Sequence, residues 1–148
     1  MDTEKLLQLL KENKVLFVVI GATAFPVYGY ARATLDIDIF VRNDLENIKR
    51  TMKALKKFGY DLMDLTLDDF LSHKILIRQY MVEADIHSFV KGVTFNEVWK
   101  NKITAEFGKT KVNFPSLDDM IKMKEAAGRA IDLEDLKYLK KIRKKRTG

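Results

Sequence analysis

Residues 15–20 read VLFVVI, six consecutive apolar positions rich in β-branched side chains, bounded by Lys14 and Gly21. A run this short and this apolar predicts a strand buried on both faces. Such a strand needs helices above and below it, which points to a layered fold. Residues 34–41 (TLDIDIFV) predict a strand of a different kind. Leu35, Ile37, Ile39 and Val41 point one way, and Thr34, Asp36, Asp38 and Phe40 the other, as in a half-buried strand.

Helices alternate with these strands. Residues 3–13 carry Leu6, Leu7, Leu9 and Leu10 among polar residues, with Asp2 or Thr3 as the expected N-cap, and predict a helix. Residues 22–29 predict a short helix with Pro26 near its first turn. Residues 45–58 set Leu45, Ile48, Met52 and Leu55 on one stripe, with Lys49, Arg50, Lys53, Lys56 and Lys57 around the rest. Residues 60–72 are ambiguous. Residues 74–81 and 82–90 predict strands, followed by a helix near 94–100 and strands at 102–107 and 110–114. Ser116 with Asp119 opens a helix in the manner of a capping box, and Asp132 with Asp135 repeats the pattern for the last one. The expected fold class is α+β (α/β), a mixed sheet flanked by helices with further helices at the C-terminus. At 148 residues the chain is expected to form one domain.

Composition narrows the function classes. With no Cys and two His the chain holds no zinc-finger ligand set, and no disulfide framework is available to it. The stretch 15–31 carries no charge, yet its continuous apolar run ends at Gly21, and Pro26 and Gly29 follow. It is too interrupted to span a membrane, and the mixed charges of residues 1–14 are not those of a signal peptide. Absence of Cys then favours a reducing cytoplasm. The net charge of +6 is concentrated: no acidic residue follows Asp135, while Lys137, Lys140, Lys141, Arg143, Lys144, Lys145 and Arg146 do. That basic end reads either as a solvated helix terminus suited to the helix dipole or as a docking surface for a polyanion such as RNA.

Asp36 and Asp38 are the first chemically informative pair, because Asp is disfavoured inside strands. At i and i+2 their Cα atoms lie about 6.5–7 Å apart on one face. Carboxylates approaching to about 5 Å repel by roughly 3 kcal/mol at an effective dielectric near 20, a penalty that a shared cation removes. On residues 82–90, Glu83, Asp85 and His87 occupy one face of a second strand. If the two strands are neighbours, Asp85 completes a three-carboxylate site, while Glu83 and His87 read as polar side chains facing solvent. Hard oxygen ligands select Mg²⁺ or Mn²⁺, and a third carboxylate either binds metal or accepts a proton. Gly21 and Ala22 form a turn between a buried strand and a helix, where backbone N–H groups can hold phosphate. Arg32 and Thr34 either contact phosphate or cap the strand. Lys124 shares a helical stripe about 100° wide with Leu117, Met120, Ile121 and Gly128. Its ammonium on a buried face calls for an anion, a bound phosphate or a carboxylate of the site. Arg129, Asp132 and Asp135 read as caps and helix-end charges.

Taken together, Gly21-Ala22-Thr23-Ala24, Tyr28-Gly29-Tyr30-Ala31-Arg32-Ala33-Thr34 and Asp36-Ile37-Asp38-Ile39 resemble the signature of the DNA polymerase β-like nucleotidyltransferase superfamily. The resemblance is to its minimal, toxin–antitoxin-type bacterial branch. Asp85 matches the third carboxylate, and residues 124–135 (KEAAGRAIDLED) match the C-terminal segment of that branch. The resemblance implies that Asp36 and Asp38 hold two Mg²⁺ ions and that Asp85 binds one of them and helps deprotonate an acceptor. It further implies that the Gly21 turn, with Ala22, Arg32, Thr34 and Lys124, binds the phosphates of an NTP such as ATP. The acceptor hydroxyl attacks the α-phosphorus and pyrophosphate leaves. Ala22 departs from the usual Gly or Ser, and its Cβ restricts φ. Family acceptors include a tRNA end, a protein hydroxyl or a small molecule. Two other readings follow from the same residues. One is a weak or inactive binding or antitoxin module that acts with a helical partner protein, and the other is a nucleic-acid-binding protein with incidental acids.

Overall fold

The computed structural model describes residues 2–31, 34, 36–79 and 82–147. Its sheet has four strands: β1 (Phe17–Ile20), β2 (Asp36–Val41), β3 (Ile75–Ile77) and β4 (Glu83–His87). Their spatial order is β1-β2-β4-β3, with β2 and β4 parallel and both edge pairs antiparallel, so the sheet is mixed as expected. Helices α1 (Asp2–Glu12) and α2 (Leu45–Phe58) pack together, and their apolar faces share a core with Val19, Ile37, Ile39, Ala84 and Ile86 of the sheet.

The other face of the sheet carries Val18 and Ile20 of β1, then Asp36, Asp38 and Phe40 of β2, then Glu83, Asp85 and His87 of β4. Helices α3 (Leu67–Ser72) and α4 (Phe95–Asn101) precede the hairpin β5 (Ile103–Phe107) and β6 (Thr110–Phe114), after which come α5 (Leu117–Ala127) and α6 (Ala130–Thr147). Phe40 is buried in a second cluster with Val18, Ile20, Val93, Phe95, Val98 and Met123. The half-buried reading of β2 is therefore corrected. Its Asp-bearing face is covered at one end by α4 and α5, and only the end carrying the two aspartates stays partly open.

Three further expectations change. Of the strand expected over 74–81, residues 80 and 81 lie outside the described residues, and among the rest only Ile75–Ile77 is a strand; Gln79 turns aside to bond the backbone of Asp61 at both N–H and C=O. In α2 the expected stripe is rotated: Leu45 is 48% exposed, whereas Asn47 and Thr51 are buried. Asn47 clamps the start of β1, accepting from Leu16 N–H at 2.7 Å and donating to the carbonyls of Leu16 and Arg42, so a buried amide replaces an apolar contact. The last helix begins at Ala130, placing Asp132 inside the first turn, where it accepts from Arg129 N–H at 3.2 Å. Strands β5 and β6 form their own two-stranded sheet. No helix among the described residues is long and apolar enough to cross a membrane.

Candidate active site

The parallel pairing of β2 and β4 sets Asp38 directly opposite Asp85, Asp36 opposite Glu83 and Phe40 opposite His87. Directly paired residues share a face, so the alternation of each strand and this register together bring the acids to one surface. One ligand atom each from Asp38, Asp85 and His87 lie within 4.8 Å of one another. His87 Nε2 lies 2.8 Å from Asp38 Oδ1, and its side chain is 15% exposed. His87 therefore faces Asp38 rather than open solvent, which corrects its reading as an ordinary solvent-facing polar residue.

Asp36 sits at the rim. Thr34 Oγ1 donates to the Asp36 carbonyl at 2.9 Å, steadying the start of β2. Burial first, and then the charges of Asp85 and Asp38, push the Asp36 carboxyl above its ordinary value, against the pull of Arg78 and Thr34. Arg78 is a residue that sequence reasoning missed. Its Nη1 donates to Asp85 at 2.6 Å and its Nη2 to Asp36 at 3.3 Å, and its Nε lies 3.9 Å from Glu83. The hydrogen bond to Asp85, with the charges of Asp85, Asp36 and Glu83, raises the guanidinium pKa further.

Gly21 opens the 3-10 helix Gly21–Tyr28 directly after β1. Its φ is +70°, and a Cβ at this position would meet Asp38 Oδ2 at 2.7 Å. Glycine is thus required twice here, by the left-handed backbone and by the approach of the carboxylate. The expected phosphate-binding set divides in two. Gly21 and Lys124 line a cavity of about 160 Å³ with Asp38, His87, Arg129 and Asp132. Ala22 and Thr34 instead line a separate groove with Asp36 and Glu83. Arg32 lies outside the described residues.

Lys124 does find anions on its buried face. Its ammonium is 3.1 Å from Asp132 and 3.2 Å from Asp135. Arg129 adds a two-nitrogen contact to Asp132, and Tyr30 donates to Asp135 at 3.0 Å. Asp132 is the helix-end charge expected of it, in the first turn of α6, but both Asp132 and Asp135 are fully buried and serve as the anions that meet Lys124. Burial would raise the Asp132 carboxyl, but hydrogen bonds from Arg129 and Lys124 prevail and hold it at about 2.

The sequence between residues 2 and 144 matches a family described as a nucleotidyltransferase of unknown function, DUF6036. The chain belongs to this family. Its fold is also similar to the crystal structure of a protein from Thermotoga maritima assigned as a nucleotidyltransferase. That likeness has a TM-score of 0.64 at 20% identity and covers 94% of this chain and 91% of the other. No curated protein matches the chain. Asp38 stands against the Gly21 turn and opens into the cavity that His87 and Lys124 also line.

Proposed function

We propose that this nucleotidyltransferase moves a nucleoside monophosphate from an NTP to an acceptor hydroxyl and releases pyrophosphate. The observation that carries the reading is the convergence of Asp38, Asp85 and His87 within 4.8 Å, with Asp38 packed against the Gly21 turn whose missing Cβ leaves room for its carboxylate.

The donor set fits a divalent cation. Two carboxylates and an imidazole suit Mg²⁺ or Mn²⁺, with the imidazole inclining the set toward Mn²⁺. Asp38, Asp85 and His87 would hold it, and Asp36 stands next to them. When bound, such an ion polarises the α-phosphate and stabilises the developing charge. The chain's own groups do the rest. Lys124 and Arg129 present positive charge to the phosphates from the cavity wall, kept in place by Asp132 and Asp135. Gly21 lets the phosphate chain approach the backbone. Asp85 takes the hydroxyl proton as the new oxygen–phosphorus bond forms and the bond to pyrophosphate breaks.

For the acceptor, the basic helix favours RNA. Lys137, Lys140, Lys141 and Lys144 recur at one-turn spacing on α6 and line a shared groove with Tyr138, a combination of cations and an aromatic ring that suits a polynucleotide strand. Incubation with α-labelled NTPs, Mg²⁺ or Mn²⁺ and total RNA tests the reading. Asp38→Asn and Asp85→Asn should each reduce labelling roughly a hundredfold or more with unchanged circular dichroism. Undiminished labelling by both variants overturns the assignment. Absence of all labelling, with a helical protein co-purifying in equal amount, would favour a binding module in its place.

A further inference from the structure

The four acids on β2 and β4 are divided between two different partners. Asp38 meets the imidazole of His87. Asp36, Glu83 and Asp85 surround the guanidinium of Arg78.

Topology puts Arg78 there. In the antiparallel pair, Leu76 faces Asp85 and Ile77 faces Ala84. One residue further along the chain, Arg78 comes level with Glu83 and on the face that carries Asp85. Ile75 and Ile77 are buried while Leu76 is 54% exposed, so the short strand turns its outer side toward the acids. The planar fork then spends separate nitrogens on separate strands: Nη1 on Asp85 of β4 and Nη2 on Asp36 of β2. An arginine in this place is positive at every accessible pH and presents fixed, directional donors, unlike a lysine or a hydrated ion.

We propose that Arg78 is a resident cation that takes up the Asp36–Asp85 pair, so that this site holds one divalent ion, at Asp38, Asp85 and His87, rather than two. The inference rests on the nucleotidyl-transfer reading and changes its metal requirement. The first ion shares only Asp85 with the guanidinium, whereas a second divalent ion on Asp36 and Asp85 would have to displace the guanidinium or share both of its closest acids, and like charge opposes each more strongly. Arg78 is thereby a positioning residue. It orients the Asp85 carboxylate and offsets its charge without touching the reacting phosphate.

Manganese binding to the purified full chain, followed by electron paramagnetic resonance without nucleotide, decides the matter. Wild type should bind one Mn²⁺ per chain and Arg78→Ala two, while Arg78→Lys, which keeps the charge, stays near one. The bound ion in wild type should show nitrogen hyperfine coupling that His87→Gln removes. Because the Arg78 side chain is 42% exposed, the variants should fold, which circular dichroism checks; Arg78→Gln serves if the alanine variant does not. Two ions in wild type, or one in both Arg78→Ala and wild type, overturn the proposal while leaving nucleotidyl transfer intact. No bound Mn²⁺ in wild type overturns it together with the reading on which it rests.

Discussion

A methyl group added at Gly21 would lie 2.7 Å from Asp38 Oδ2 on a backbone with φ of +70°. Gly21→Ala therefore meets two obstacles. The left-handed backbone costs about 1–2 kcal/mol for any L side chain, and the Asp38 carboxylate must shift away from its partners. A displacement near 1 Å in a reacting site can lower turnover roughly a hundredfold. The expected outcome is a melting temperature lowered by a few degrees in differential scanning calorimetry and NTP labelling lowered far more than that modest destabilisation explains. Labelling at the wild-type rate would separate Gly21 from the chemistry. Asp36, Asp38, Asp85 and Gly21 were legible because each breaks a local rule, a charge in a strand or a glycine after an apolar run. His87 and Arg78 break none. A polar residue on an exposed face and an arginine after a short apolar stretch are ordinary, and only the pairing of β4 with β2 on one side and β3 on the other gives them acidic neighbours.

The junction of α5 and α6 holds buried charge that the helix-wheel pattern only half revealed. Periodicity exposed Lys124 as an anomaly, but the carboxylates that answer it lie beyond the α5 terminus at Gly128, and no single-helix pattern relates residues on two helices. The same limit explains α2, where Asn47 is buried because it serves the backbone of β1. Asp132 makes the junction sensitive to acid. Its folded carboxyl titrates at about 2, below the unfolded value of about 3.9. The stabilisation is complete above the unfolded value and is lost as pH falls through the folded one. Urea unfolding should thus show stability rising between about pH 2 and pH 4, with a shallower rise in Asp132→Asn. Equal slopes in the two proteins would remove Asp132 from the acid response.

In the assembled molecule, one face of the sheet is sealed by α1 and α2, and the other is sealed only beyond Asp38, where Phe40 meets Phe95 and Val98. That asymmetry leaves Asp38 between the apolar residue Ile20 and the charged α5–α6 wall of Lys124, Arg129 and Asp132. The order of elements and the mixed sheet followed from strand and helix patterning. The short β3, the separate β5–β6 hairpin and the burial of Phe40 did not, since each depends on which segment lies against which. Asp38, Asp85 and His87 are proposed to form a cation site facing the Gly21 turn. It is tested most directly by diffraction at the manganese absorption edge from crystals grown with Mn²⁺ and a non-hydrolysable NTP. The expected result is an anomalous peak between Asp38 and Asp85 within reach of His87, with triphosphate density over Gly21. Manganese bound elsewhere, or triphosphate bound away from this cavity, would contradict it.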